Sequence, residues 1–135
     1  MLDLIAGALA KLGTRRAFVV CSADGLDEVS LSAATSVREV KNETVRALQW
    51  APADFGLEPC TLSQLRVDSP QASAELVREV LKGAPGPARR IVVANAAAAL
   101  LVSEKVESLR AGVAVAEESI DRGNAKGVLA KLAAE

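Results

Sequence analysis

The run from Ile91 to Val102 is the longest apolar segment of this 135-residue chain, and Asn95 is its single polar residue. Twelve residues are too few to cross a membrane, which takes about 20. A helix that is apolar on every side must be covered by other elements. We therefore predict a buried helix. Because a buried amide needs partners, Asn95 either binds the backbone of a nearby loop or points into a functional site.

The composition indicates what covers this helix and which functions are excluded. The chain is 50% hydrophobic but only 2% aromatic, so its core is built mainly from Ala, Val, Leu and Ile. Its 16 basic and 17 acidic residues give a net charge of -1, which together with the scarcity of aromatic residues speaks against nucleic-acid or membrane binding. Two cysteines and no histidine make no disulfide framework or zinc site. With no signal peptide visible, we predict reduced thiols and a cytoplasmic location.

The hydrophobic spacing predicts an α/β fold in which helices outweigh strands. Residues 2–12 form a helix ended by Gly13, and the apolar run 16–21 reads as a strand buried on both faces, as parallel strands are. Residues 36–40 and 43–50 read as a hairpin that turns around Asn42. In this interpretation the first strand has no partner. A long connection reaches about Pro70, and three or four helices then complete one buried strand, a hairpin and about five helices.

The loop Asp24-Gly25-Leu26-Asp27-Glu28 directly follows the first strand, where open α/β sheets bind ligands. Asp27 and Glu28 are adjacent, so only a loop lets both carboxylates approach one ligand. Mg²⁺ typically takes one or two carboxylates and shares its other positions with water and substrate phosphates. The spacing alone also fits an acidic surface turn or a helix cap.

The other candidates are weaker. No phosphate-binding glycine loop is visible, and Ser22 has no histidine to activate it. We interpret Cys21 as an inert buried thiol and the pair Arg89-Arg90 as the solvated start of a helix, with anion binding as the alternative.

Several segments, in order, resemble the anthranilate phosphoribosyltransferases. The resemblance covers essentially the whole chain, and the Gly25-Leu26-Asp27-Glu28 element is its most specific part. The other matching segments are Leu9-Ala10-Lys11-Leu12-Gly13, Asp54-Phe55-Gly56-Leu57, Asn95-Ala96-Ala97, Ala98 with Leu100, Gly112-Val113, and Ile120-Asp121 with Gly123.

The resemblance implies a helix-flanked mixed sheet, as in phosphoribosyltransferases related to nucleoside phosphorylases. It implies transfer of the phosphoribosyl group from phosphoribosyl diphosphate (PRPP) to anthranilate in tryptophan biosynthesis, with Asp27 and Glu28 holding Mg²⁺. Residues 1–135 would be the C-terminal segment of the large α/β domain. The family's N-terminal helical domain and its Gly-Thr-Gly-Gly-Asp diphosphate loop have no counterpart here. We therefore expect a homodimer or association with an N-terminal part.

The chain departs from the family pattern at three places. Cys21-Ser22 stands where His-Gly is common, Ala33-Ala34 where Gly-Pro is usual, and Val67-Asp68 with Ser73 where Gly-Gly and a later Asn are expected. Lost glycines put the loop geometry in doubt, because a β-carbon restricts the backbone. The alternative hypothesis is a catalytically inactive fragment or degenerate homologue that acts as an association module. It is suggested by the unpaired first strand and by the helix that is apolar all round, since such surfaces associate or aggregate.

Overall fold

The computed structural model describes residues 1–134, which form three strands and six α-helices. The strands are β1 (Arg16–Ser22), β2 (Thr35–Lys41) and β3 (Thr44–Trp50); the helices are α1 (Leu2–Lys11), α2 (Pro52–Phe55), α3 (Pro70–Leu81), α4 (Pro87–Val102), α5 (Leu109–Asp121) and α6 (Asn124–Leu132), with a 3-10 helix at Leu62–Leu65. The predicted long connection thus contains two short helices. None of the helices described is long and apolar enough to cross a membrane.

The sheet is antiparallel throughout, with strand order β1-β2-β3. Arg16 pairs with Lys41 and Ser22 with Thr35, so the predictions of an unpaired parallel first strand and of a mixed sheet are wrong for the described residues. An apolar run reports burial but not strand direction. Most of β1 is only half-buried, not enclosed as predicted, because β1 lies at an edge of the sheet.

The predicted hairpin is confirmed as β2 and β3. Asn42 and Glu43 form its two-residue turn with φ of 48° and 64°, the left-handed region that such tight hairpins require. The sequence predicted this role for Asn42, which tolerates that region well. Glu43 belongs to the predicted turn segment Lys41-Asn42-Glu43, but its left-handed φ was not predicted.

Helices cover both faces of the sheet. Ala6 and Ala10 of α1 pack against Val40 on one face. On the other face, Phe18 and Val37 join the main core with α4. The sheet therefore lies between α1 on one face and α4 on the other.

The apolar helix α4 is buried on one side rather than all round. Val93, Ala94 and Ala97 are fully buried, but Val92 is 45% exposed. Helix α5 approaches α4 closely because Gly112 carries no side chain: a β-carbon there would lie 2.8 Å from the Ala97 Cα. The alanine-rich core thus allows the close helix packing that its composition predicts.

Candidate functional site

The loop from residue 23 to residue 34 leaves β1 and returns to β2. Backbone bonds close it at its base: Ser22 N–H donates to Leu26 O at 2.8 Å, and Ala23 N–H donates to Ala34 O at 2.9 Å. Gly25 has a φ of 94°, which a residue with a β-carbon rarely adopts. The glycine of the motif is therefore required by the turn.

Asp24 stabilises the loop from within. Its carboxylate accepts hydrogen bonds from the hydroxyls of Ser30 (2.6 Å) and Ser32 and from the backbone N–H of Leu26 (3.3 Å). Partial burial alone would raise the pKa of Asp24, but the serine hydrogen bonds outweigh it and hold the pKa well below its usual range. Ser30 and Ser32 follow Asp24 closely in the sequence, but their role as hydrogen-bond donors to it was not predicted.

Asn95 connects α4 to the same loop. Its Oδ1 accepts from Val29 N–H, and its Nδ2 donates to the Val29 and Ile91 carbonyls, all at 3.0 Å. Of the two roles that the sequence left open, the structural one is confirmed: the amide satisfies the backbone next to Glu28.

Asp27 and Glu28 are exposed. In the sequence they lie between Asp24, which is bound by the serines, and Val29, which is bound by Asn95. Desolvation by burial, and then the neighbouring Asp27 charge, raises the pKa of Glu28. Within residues 1–134 there is no group of three or more side chains of the types that commonly bind metals. The donor set is two adjacent carboxylates, which fits Mg²⁺ that keeps waters and shares substrate phosphates, and does not fit a metal held by protein alone.

An apolar groove of about 620 Å³ begins at Glu28. Its walls come from the loop, the 3-10 helix and the facing sides of α3 and α4; they are formed by Leu26, Glu28, Leu62, Leu65, Arg66, Ser73, Leu76, Val77, Val80, Ala88, Ile91 and Val92. Its volume is typical of small-molecule sites. Val77, on the α3 side of the groove, is 48% exposed.

The structure also places the other residues that the sequence singled out, Arg89, Arg90 and Cys21. Arg89 donates to both carboxylate oxygens of Asp121, at 2.8 and 3.0 Å, and to Gly83 O, so it ties α4 to α5 instead of forming a solvated end. The Nε atom of Arg90 is buried without a partner in the described structure. Cys21 is exposed, so its interpretation as a buried thiol is wrong: it lies on an edge strand.

The departures from the family pattern do not strain the loops. None of Cys21-Ser22, Ala33-Ala34 and Val67-Asp68 has a positive φ. Ser22 is buried, and its hydroxyl donates to Ala34 O at 3.4 Å, across the base of the loop. The backbone at these positions therefore carries no left-handed strain, and an effect of the departures on the diphosphate site stays a prediction.

The structure thus defines an α/β chain with two exposed carboxylates after its first strand, and comparison with known families identifies the class to which it belongs. Residues 1–126 match the family described as "Glycosyl transferase family, a/b domain", so the chain belongs to this family.

The particular relatives are anthranilate phosphoribosyltransferases. The chain is 45% identical over 129 residues to that of Rhodopirellula baltica, covering 96% of this chain and 38% of the relative. It is 43% identical over 131 residues to that of Thioalkalivibrio sulfidiphilus, covering 97% and 39%. The chain thus spans about two-fifths of the length of these relatives.

Solved structures agree on the fold. The anthranilate phosphoribosyltransferase of Thermus thermophilus superposes with a TM-score of 0.82 at 34% identity, over 96% of this chain and 38% of that one. The Saccharomyces cerevisiae enzyme in complex with PRPP and Mg has a TM-score of 0.75 at 32% identity, over 82% of this chain and 32% of that one.

Proposed function

We propose that this chain supplies the magnesium-binding side of an anthranilate phosphoribosyltransferase, which transfers the phosphoribosyl group of PRPP to anthranilate in tryptophan biosynthesis. The observation that carries the proposal is the adjacent pair Asp27 and Glu28, exposed on a loop that Asp24 and Asn95 hold. The complex of the yeast relative with PRPP and Mg supports it.

In this proposal Asp27 and Glu28 hold Mg²⁺, which neutralises charge on the departing diphosphate. The chain's own contribution is to present two carboxylates from a loop braced against α4. An apolar groove lies beside Glu28 on one side of the site. Residues 1–135 act as the C-terminal segment of the large α/β domain, and an N-terminal helical domain and a diphosphate-binding loop complete the site.

The free thiols of Cys21 and Cys60 and the biosynthetic role support a cytoplasmic location. The relation of the fold to nucleoside phosphorylases stays a prediction.

A chimera tests the proposal. This chain replaces the corresponding segment of the Thermus thermophilus enzyme, and turnover of anthranilate and PRPP is measured with and without Mg²⁺. We expect the chimera to be active, the isolated chain to be inactive, and Asp27→Asn with Glu28→Gln to lower the activity of the chimera on the order of 100-fold. Glu58→Gln, an exposed carboxylate elsewhere, is the matched control. Steady turnover by the isolated chain, or full activity of the double variant, contradicts the proposal.

A second candidate is a non-enzymatic association module. It was first suggested by an unpaired strand, but β1 pairs with β2. The observation that now favours it is the outer face of α1, where Met1, Leu4 and Leu12 are 93, 79 and 80% exposed. Native mass spectrometry at micromolar concentration distinguishes the two, because a clean monomer argues against an association module.

A further inference from the structure

The acidic pair is held through the backbone of the residue that follows it. Val29 is 1% exposed, and both of its backbone polar groups bond to the Asn95 amide: N–H to Oδ1 and O to Nδ2, each at 3.0 Å. Since a peptide group is planar, the first bond orients the plane between Glu28 and Val29, and the second orients the plane between Val29 and Ser30. One side chain therefore fixes two consecutive peptide planes.

Asn95 is itself rigidly placed. It lies on α4 next to Ala94, which is fully buried, and it also donates to Ile91 O one helical turn earlier at 3.0 Å. Its amide thus makes three of the four hydrogen bonds it is capable of. Helix α4 consequently fixes, through Asn95, the orientation of the peptide group that follows Glu28.

The other end of the loop is fixed independently. Asp24 accepts from Leu26 N–H and from Ser30 Oγ, so it braces the residues on both sides of the pair. The Ser30 N–H in turn donates to Thr35 Oγ1 at 3.1 Å, at the start of β2. The loop is thereby tied to the sheet at one side and to α4 at the other.

We infer that Asn95 is a positioning residue for the metal site: it pre-orients Glu28 through Val29 and thereby raises the affinity of the acidic pair for Mg²⁺. The inference rests on the proposed function, because it assumes that Asp27 and Glu28 are the metal ligands. Residues that orient ligands without touching the metal typically change affinity by about 10–100-fold. Pre-orientation acts by reducing the conformational freedom that binding would otherwise remove.

The test uses the ¹⁵N-labelled chain of 135 residues, titrated with Mg²⁺ in the presence of inorganic diphosphate while the amide shifts of residues 27–30 are followed. Asn95→Ala is expected to weaken Mg²⁺ binding about tenfold and to speed hydrogen exchange of the Val29 amide, whereas the β2 amides stay protected. Asn95→Ser is the second variant should Asn95→Ala not fold. Its hydroxyl can bond Ile91 O within the helix but cannot replace both bonds to Val29.

Two controls separate positioning from general stability and from the metal assignment. Ile120→Val removes a methylene from the core of α5 without altering the Asn95 contacts, and is expected to lower stability while leaving Mg²⁺ affinity unchanged. If the folded Asn95 variants bind Mg²⁺ as wild type does, or if Ile120→Val loses affinity equally, the inference is overturned. If wild type shows no saturable Mg²⁺ shift, or Asp27→Asn with Glu28→Gln binds equally well, the metal site itself is overturned, and with it the inference.

Discussion

At the scale of single residues, Asp24 makes the loop sensitive to pH. Its folded-state pKa lies below the ordinary value of about 3.9 because hydrogen bonds from Ser30 and Ser32 outweigh desolvation. A carboxyl with a depressed folded pKa stabilises the fold above its unfolded pKa, and this contribution is lost as the pH falls through the folded pKa. We expect Asp24→Asn to cost about 1 kcal/mol at pH 7 and progressively less below pH 4.

Urea unfolding between pH 7 and pH 2 measures this effect. Asp68→Asn, at an exposed loop carboxylate, is the matched control and should change little at any pH. A stability difference between wild type and Asp24→Asn that stays constant down to pH 2 would show that the ionised carboxylate is not the stabilising form.

The pKa shift of Glu28 has the opposite sign to that of Asp24. Desolvation and then the Asp27 charge raise its folded pKa, so the ionised form opposes folding above that pKa. Stability from this group rises as the pH falls through the folded pKa and levels off below the unfolded pKa. Because Glu28 is exposed, we expect Glu28→Gln to stabilise the chain at pH 7 by less than about 0.5 kcal/mol.

Thermal unfolding with added Mg²⁺ and diphosphate extends this prediction. A ligand that binds only the folded state raises its stability by mass action, so wild type should gain more than Glu28→Gln and the order of stabilities should reverse. Equal gains would show that Glu28 is not a metal ligand.

At the scale of elements, the contact between α4 and α5 depends on Gly112. A β-carbon at this position would lie 2.8 Å from Ala97 Cα and 2.9 Å from Ala97 Cβ and O, which is closer than real contacts allow. Gly112→Ala should therefore destabilise the chain by about 1–3 kcal/mol through overpacking, even though alanine favours a helix by about 1 kcal/mol over glycine.

Gly127 of α6 provides the matched comparison, because a β-carbon there would meet nothing within 4 Å. Gly127→Ala should be neutral or stabilising by up to about 1 kcal/mol. Urea midpoints of the two variants give the answer. If Gly112→Ala is as stable as Gly127→Ala, α4 and α5 do not require a glycine at their contact.

The sequence alone predicted the positions of these elements but not all of their contacts. Periodicity located the helices and the hairpin, because 3.6- and 2-residue repeats follow from local geometry. It could not give the direction or partner of β1, since the run around Phe18 looks alike in parallel and antiparallel sheets. For Asn95 the cost of burying an amide predicted a partner, but only the fold shows that Val29 is the partner. Contacts between distant segments require the fold.

At the scale of the whole molecule, α1 has two apolar faces. Ala6 and Ala10 pack on the sheet. Met1, Leu4, Ile5 and Leu12 share the opposite side by helical spacing and are 44–93% exposed. An apolar stripe of this kind on the surface of a chain typically marks an interaction surface. We expect it to drive self-association of the isolated chain at high micromolar concentration.

Sedimentation velocity of a paired set of variants tests whether α1 is responsible. Leu4→Lys with Leu12→Lys should abolish the association without lowering the unfolding temperature, because leucine and lysine have similar helix propensities. Val128→Lys with Leu132→Lys makes the same change in charge at two exposed apolar residues of α6, and should leave association intact, because it does not alter the outer face of α1. If the α6 pair abolishes association and the α1 pair does not, the outer face of α1 is not the interaction surface. If the wild-type chain stays monomeric at all concentrations, the association module loses its main support. The transferase proposal then remains as the single candidate function of the two.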